Sequence, residues 1–117
     1  MKLKPSFWGP HLWYVVHMTC IMYDNKEISD QVLLDVVDCV RKLLPCKQCK
    51  MHFTQQLRLF DVMAAIQSNS TFEWSYYLHG AVNKQLGKSS TPPISLQDCL
   101  AYYRIPNITS LWYAMFI

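Results

Sequence analysis

The sequence predicts an all-α fold, a four-helix bundle with a short fifth helix, and three observations predict it. Apolar residues return at helical spacing through each long segment. Proline, glycine and short polar runs fall at the ends of those segments, where helices start and stop. No segment alternates apolar and polar residues as a half-buried strand does, and no repeat or glycine-rich loop interrupts the pattern. With 117 residues the chain is long enough for one domain, 1–117, with its own core.

The first helix is expected over about Pro10 to Tyr23. Pro10 suits a first turn. Leu12, Trp13, Val15, Val16, Met18, Cys20, Ile21 and Met22 make the segment apolar nearly all round, which implies burial on several sides. Within it Trp13 and His17 stand at i and i+4 and share a face. Asp24-Asn25-Lys26 then breaks the helix. The second helix starts near Ser29 or Asp30, both good caps, and runs to Leu44. Its stripe is Leu33, Val36, Val37, Val40, Leu43 and Leu44, with Asp35, Asp38, Arg41 and Lys42 outside it. Pro45 ends it.

The third helix carries Cys46 and Cys49 and continues to about Arg58 or Phe60. Cys49, Phe53, Leu57 and Phe60 line up at helical spacing, so Cys49 is expected to face inward and Cys46 to sit at an exposed tip. A polar stretch, Gln67 to Thr71, leads to the fourth helix, about Phe72 to Leu86. Trp74, Leu78, Val82 and Leu86 form one row, His79 and Asn83 the neighbouring one, and Gly87 is a stop. Ser89 to Pro93 is a linker, Ser95 to Arg104 the short fifth helix, and the tail Leu111 to Ile117 is expected to pack down.

Composition narrows the function. Hydrophobic residues make up 51% and charged residues 16%, so a partner interface, a bound cofactor or both must cover apolar surface. The 14% aromatic content suits a flat ligand held by stacking. A net charge of +3 suits a phosphate-bearing cofactor, but no Lys/Arg run or aromatic–basic interleaving points to nucleic acid. No apolar run approaches the length of a membrane span. The start lacks a signal-peptide core, so a cytosol-facing chain is expected and the sequons at Asn69 and Asn107 are chance matches. Of five cysteines only Cys46 and Cys49 are close together, which is no disulfide framework. Cys20 and Cys39 read as small buried hydrophobes.

Cys46-Lys47-Gln48-Cys49, directly after Pro45, therefore carries the chemistry. Two thiols at i and i+3 share a helical face. The positive end of a helix favours thiolate, and Lys47 and Lys50 push the same way. Three rival readings exist. A structural zinc site needs four ligands; Cys46, Cys49 and His52 supply three, with His79 or Cys39 as a distant fourth. A thioredoxin-like centre needs a strand–helix–strand unit, and none is present. A c-type haem needs histidine at position 50, which is lysine. Asn83 on an apolar helix needs a partner if buried. Lys88, just past a helix end, is either a solvated charge or a contact to a phosphate.

Three motifs together resemble the Erv/ALR family of FAD-linked sulfhydryl oxidases, in a compact form similar to those of large DNA viruses. They are Trp8-Gly9-x3-Trp13-x3-His17 with Tyr23 following, Cys46-x2-Cys49-x2-His52-Phe53, and Trp74-x4-His79-x2-Val82-Asn83-x2-Leu86-Gly87-Lys88. The resemblance spans residues 8–88 in the family's order. It implies FAD held at one end of the bundle, with Cys46 and Cys49 catalytic. It makes Gly9, Trp13, His17, Tyr23, His52, Trp74, His79, Val82, Asn83, Lys84 and Lys88 the cofactor contacts, with no metal.

The resemblance also implies electron flow from a protein dithiol, or a thioredoxin-like relay protein, through the cysteine pair to FAD and then O2, giving hydrogen peroxide. A homodimer through the first two helices is implied too, and a site of action in a host cytoplasm or virion. The chain departs from the family at Gly80, where Asn is usual. It departs again at Tyr76, where many members place a cysteine clasping the fifth helix; Cys99 is then expected without that partner. Tyr103 or Trp112 is left to stack near the adenine. No shuttle cysteine pair follows, so substrate thiols would reach Cys46 directly or through a partner. A zinc-stapled interaction module and a catalytically dead helical scaffold are the alternatives.

Overall fold

The structure is a computed structural model and describes residues 5–87 and 94–104. Among these residues six helices are formed: α1 Pro5–Asp24, α2 Asp30–Leu43, α3 Lys47–Leu59, α4 Val62–Gln67, α5 Thr71–Gln85 and α6 Leu96–Arg104. No strand occurs among the described residues. The all-α expectation holds, with one short helix more than the pattern gave. Lys88, the linker Ser89–Pro93, Asn107, Trp112 and the tail lie outside the described residues.

Helix α5 is the centre of the assembly and touches α1, α3, α4 and α6, while α1 also packs on α2 and α6. The core draws Val16, Cys20 and Ile21 from α1, Leu33, Val37 and Val40 from α2, Phe53 from α3, and Phe72, Trp74, Leu78 and Val82 from α5. Leu33 and Leu78 are fully buried, each worth roughly 1.5–3 kcal/mol of apolar transfer. Gln85 pins α5 to α3, accepting from Gln56 at 3.0 Å and donating to Gln55 at 3.2 Å.

Helix α1 begins at Pro5, so Pro10 lies inside it rather than in its first turn. Its end is a Schellman motif built on Lys26, at φ 63°: Glu27 N–H bonds the Met22 carbonyl and Lys26 N–H that of Tyr23, both at 2.9 Å. Helix α2 starts at the expected cap, where the Ser29 side chain accepts from Val32 N–H at 3.2 Å. It stops because Leu44, preceding Pro45, is driven to ψ 121°. Leu43 leaves the expected stripe and is 64% exposed, and Cys39 is exposed rather than buried. The apolar face narrows toward the end of this helix, and Leu44, past its last turn, folds inward in their place.

The segment before α5 differs most from expectation. Asp61 caps α4, accepting from Met63 N–H at 3.0 Å. Asn69, at φ 52°, closes it with a second Schellman motif. Thr71 is the first residue of α5, not part of a link. Ser70 holds the cap position but makes no capping bond. Asp24, at the far end of α1, does the work instead. Its carboxylate accepts from Thr71 N–H and Phe72 N–H, both at 2.9 Å, and lies 2.8 Å from the Thr71 hydroxyl. An anion at a helix's positive end is stabilising twice over, by charge and by hydrogen bonding.

Tyr76 stands where the resemblance locates a clasping cysteine, and its hydroxyl donates to the Ile94 carbonyl at 2.6 Å. A hydrogen bond thus joins α5 to the residues before α6. Cys99 is buried and in no disulfide.

Candidate functional site

A cavity of about 310 Å³ opens between α1, α3, α5 and α6, at the lower end of the size of organic-ligand pockets. Trp8, Trp13, Tyr14, Phe53, Tyr102 and Tyr103 supply aromatic walls. Cys49, His52, His79 and Asn83 supply the polar groups. Aromatic faces with a few convergent polar atoms are the chemistry of a site for a flat, polar-edged ligand.

Helical spacing explains how these side chains meet. Cys49, His52 and Phe53 lie on one face of α3, and His79, Val82 and Asn83 on one face of α5. Gly9 and Trp13 lie along the α1 wall. The Trp13 ring stacks on His79 with centroids 4.0 Å apart and planes within 13°, and on His17 at 5.6 Å. His17 is fully buried behind them, its Nδ1 2.8 Å from Ser75 Oγ and its Nε2 3.0 Å from His79 Nδ1. Burial, with His79 beside it, pushes His17 down to about 3, so it is neutral at physiological pH. Burial also pushes the Tyr103 hydroxyl up to about 12.

Neither Cys46 nor Cys49 is in a disulfide, and both are half-buried. Cys46 caps α3, its sulfur accepting from Cys49 N–H at 3.2 Å. Cys49 lines the cavity, whereas Cys46 is outside its walls. Cys49 faces the cavity as expected, whereas Cys46, expected at an exposed tip, is half-buried. The expectation that the helix end and the lysines favour thiolate fails at Cys49. Burial and then the neighbouring Cys46 sulfur push its thiol up to about 11. Desolvation disfavours the charged form, and here it outweighs the helix end.

Four of the expected contacts do not line the cavity: His17, buried behind Trp13 and His79, and Tyr23, Trp74 and Lys84. The Tyr23 hydroxyl donates to Asp30 at 2.5 Å, tying α1 to the start of α2. Trp74 is a core residue whose indole N–H donates to the Phe60 carbonyl at 2.8 Å. Lys84 is exposed and does not line the cavity. Ser75 behind His17 was missed, as were Tyr14 and Tyr102 on the wall. Only the aromatic content hinted at the tyrosines.

The donor set fits a flavin dinucleotide. His52 lines the cavity, and its Nδ1 is buried with no protein partner among the described residues. A buried ring nitrogen is seldom left unpaired, and a polar ligand edge would pair it. Asn83, half-buried on the same wall, offers donor and acceptor together. No cluster of three or more His, Cys, Asp or Glu able to hold a metal ion occurs among the described residues. The zinc-stapled alternative therefore has no ligand set there.

Comparison with known proteins agrees. The profile of the Erv1/Alr family matches residues 10–101. A protein of Invertebrate iridescent virus 3, named as FAD-linked sulfhydryl oxidase 096R, is 25% identical over 109 residues, 91% of this chain and 72% of its own. The FAD-linked sulfhydryl oxidase ERV1 of Oryza sativa subsp. japonica is 28% identical over 86 residues, 72% of this chain. That of Arabidopsis thaliana is 27% identical over 86 residues. The chain spans 44% of the length of each plant relative. No solved structure gives a significant match.

Proposed function

The chain belongs to the Erv1/Alr family, and from that premise we propose that it is an FAD-linked thiol oxidase that makes disulfides in protein substrates. The observation that carries the reading is the placement of Cys49 on the wall of an aromatic cavity, with Cys46 outside that wall and three residues away. One sulfur can face a substrate while the other faces a cofactor.

The working cycle starts from the Cys46–Cys49 disulfide. A substrate thiolate attacks the Cys46 sulfur, forming a substrate–Cys46 disulfide and releasing Cys49 as thiolate. The second substrate thiolate attacks the substrate sulfur, releasing Cys46 and leaving the substrate oxidised by two electrons. The proton on Cys49 is governed by its neighbour. Two of the three influences that raise its pKa come from the Cys46 sulfur, and both fall away while that sulfur is bonded to substrate. Cys49 is thus most readily a thiolate in the step that releases it, and the electron pair can leave only after Cys46 is freed to re-form the Cys46–Cys49 disulfide.

The chemistry FAD supplies is acceptance of that electron pair and its delivery to O2, yielding hydrogen peroxide. Trp13 and His79 provide a stacked wall, and His52 and Asn83 would hold polar edges. The Lys88 contact to a phosphate and the adenine stack remain part of the proposal. So do a dithiol substrate or thioredoxin-like relay partner, and action in the cytoplasm of an infected host or in the virion. No described helix is long and apolar enough to cross a membrane. A homodimer through α1 and α2 is proposed on their exposed apolar residues, including Val15 at 43% and Val32 at 44%.

The test is the visible absorption spectrum of the purified protein, taken before and after dithiothreitol is added under air. A flavin band that bleaches when oxygen runs out is the expected result. A colourless protein that binds no added FAD would overturn the proposal.

A further inference from the structure

Three short contacts run from the core to the cavity wall. Ser75 Oγ lies 2.6 Å from the Phe72 carbonyl oxygen and 2.8 Å from His17 Nδ1, and His17 Nε2 lies 3.0 Å from His79 Nδ1. Each distance requires one proton between the two heavy atoms. A carbonyl has none to give, so the Ser75 hydroxyl donates to Phe72, the familiar back-bond of a serine within a helix. Serine has only that one proton. The contact between His17 and Ser75 is therefore an Nδ1–H of His17 donating to Ser75 Oγ.

His17 and Ser75 are both 0% exposed, and a second proton on a buried imidazole would be an uncompensated charge. With Nδ1 protonated, Nε2 of neutral His17 is an acceptor. The proton between the histidines then comes from His79 Nδ1. A neutral His79 carrying its proton there has Nε2 as an acceptor. Trp13 stacked on the ring fixes the plane in which that lone pair lies.

We propose that Ser75 is a positioning residue: through His17 it fixes His79 as the Nδ1–H tautomer, so that His79 Nε2 takes a hydrogen-bond donor, a hydroxyl or amino group, and not an oxyanion. Only the last step rests on the FAD reading. FAD carries both kinds of group, and the relay selects its hydroxyls and amino group over its phosphates as the partner of His79.

The test is a long-range 15N–1H spectrum of the 15N-histidine-labelled holoenzyme, which reports which nitrogen of each imidazole holds the proton. Both His17 and His79 are expected as Nδ1–H tautomers. Either ring protonated at Nε2, or charged at neutral pH, overturns the proposal without any variant. In Ser75→Ala the acceptor for His17 Nδ1–H is gone, so both rings should switch to Nε2–H. Ser75→Thr, which keeps the hydroxyl, should restore the wild-type pattern. Rings unmoved in Ser75→Ala would sink the role of Ser75. A switched His79 should also weaken FAD binding, by roughly tenfold for one hydrogen bond. Unchanged affinity with switched rings would overturn the donor assignment alone. A wild type that binds no FAD would overturn the flavin reading and leave the tautomer result standing.

Discussion

The backbone N–H of Cys49 donates to the sulfur of Cys46 at 3.2 Å, so the pair proposed to carry electrons also starts helix α3. Catalysis and capping meet in one atom. Substitutions at Cys46 can separate the two. Cys46→Ser keeps a capping acceptor and should leave stability within about 0.5 kcal/mol, whereas Cys46→Ala should lose on the order of 1 kcal/mol. Both should abolish thiol-dependent oxygen uptake. Urea unfolding and an oxygen electrode read the two effects.

Cys49→Ser should likewise abolish turnover while leaving FAD bound, because the cavity's aromatic walls are untouched. Thiol-dependent oxygen consumption retained by that variant would contradict the proposed electron path.

Asp24 should matter more than its half-exposed position suggests. It pairs two otherwise orphaned N–H groups of α5 and the Thr71 hydroxyl. Asp24→Ala should cost on the order of 2 kcal/mol in urea unfolding, and Asp24→Asn less, since one acceptor oxygen survives. A loss no larger than that of an ordinary surface substitution would show that Ser70 or water can take over.

Acid should destabilise the fold through His17. Its folded pKa, about 3, lies below the ordinary histidine value, so the unfolded chain binds the proton more readily. The sign follows: full stability above about pH 6.5, and a loss of about 1.4 kcal/mol per pH unit from there toward pH 3. The groups around the ring are Ser75, Phe72 and His79 on α5, Tyr103 on α6 and Trp13 on its own helix, and none is a carboxylate able to stabilise an imidazolium. Unfolding free energies at pH 7.5 and 5 should diverge for the wild type and converge for His17→Asn.

Val15 and Val32 should be covered in solution. Sedimentation at micromolar concentration should give a dimer, and Val15→Arg should give a monomer whose flavin spectrum is unchanged. A wild-type monomer would remove the proposed interface.

Helix α2 and most of α5 were legible because a period of 3.6 residues is written in Leu33, Val37 and Val40 and in Trp74, Leu78 and Val82. Helix α4 was not, since six residues are too few to show a period. The cap of α5 could not be read at all: Asp24 is 47 positions from Thr71, beyond the reach of any local pattern. The same blindness hid Ser75, which is 58 positions from His17. Motif membership gave Cys49, Trp13, His79 and Asn83 their places on one wall. It gave no hint that Tyr23 and Trp74 have their polar atoms committed to Asp30 and Phe60. Nor could spacing reveal that burial at Cys49 outweighs a helix terminus.

None of the five cysteines is in a disulfide, and Tyr76 joins α5 to the approach of α6 without sulfur. Packing, hydrogen bonds and the Asp38 ion pairs within α2 hold the described helices, with no disulfide among them. Sulfur in this molecule is then an electron counter. Denatured and reacted with a thiol reagent, the fully reduced chain should titrate five groups, and the resting oxidised chain those five less the Cys46–Cys49 pair. The difference is one two-electron couple.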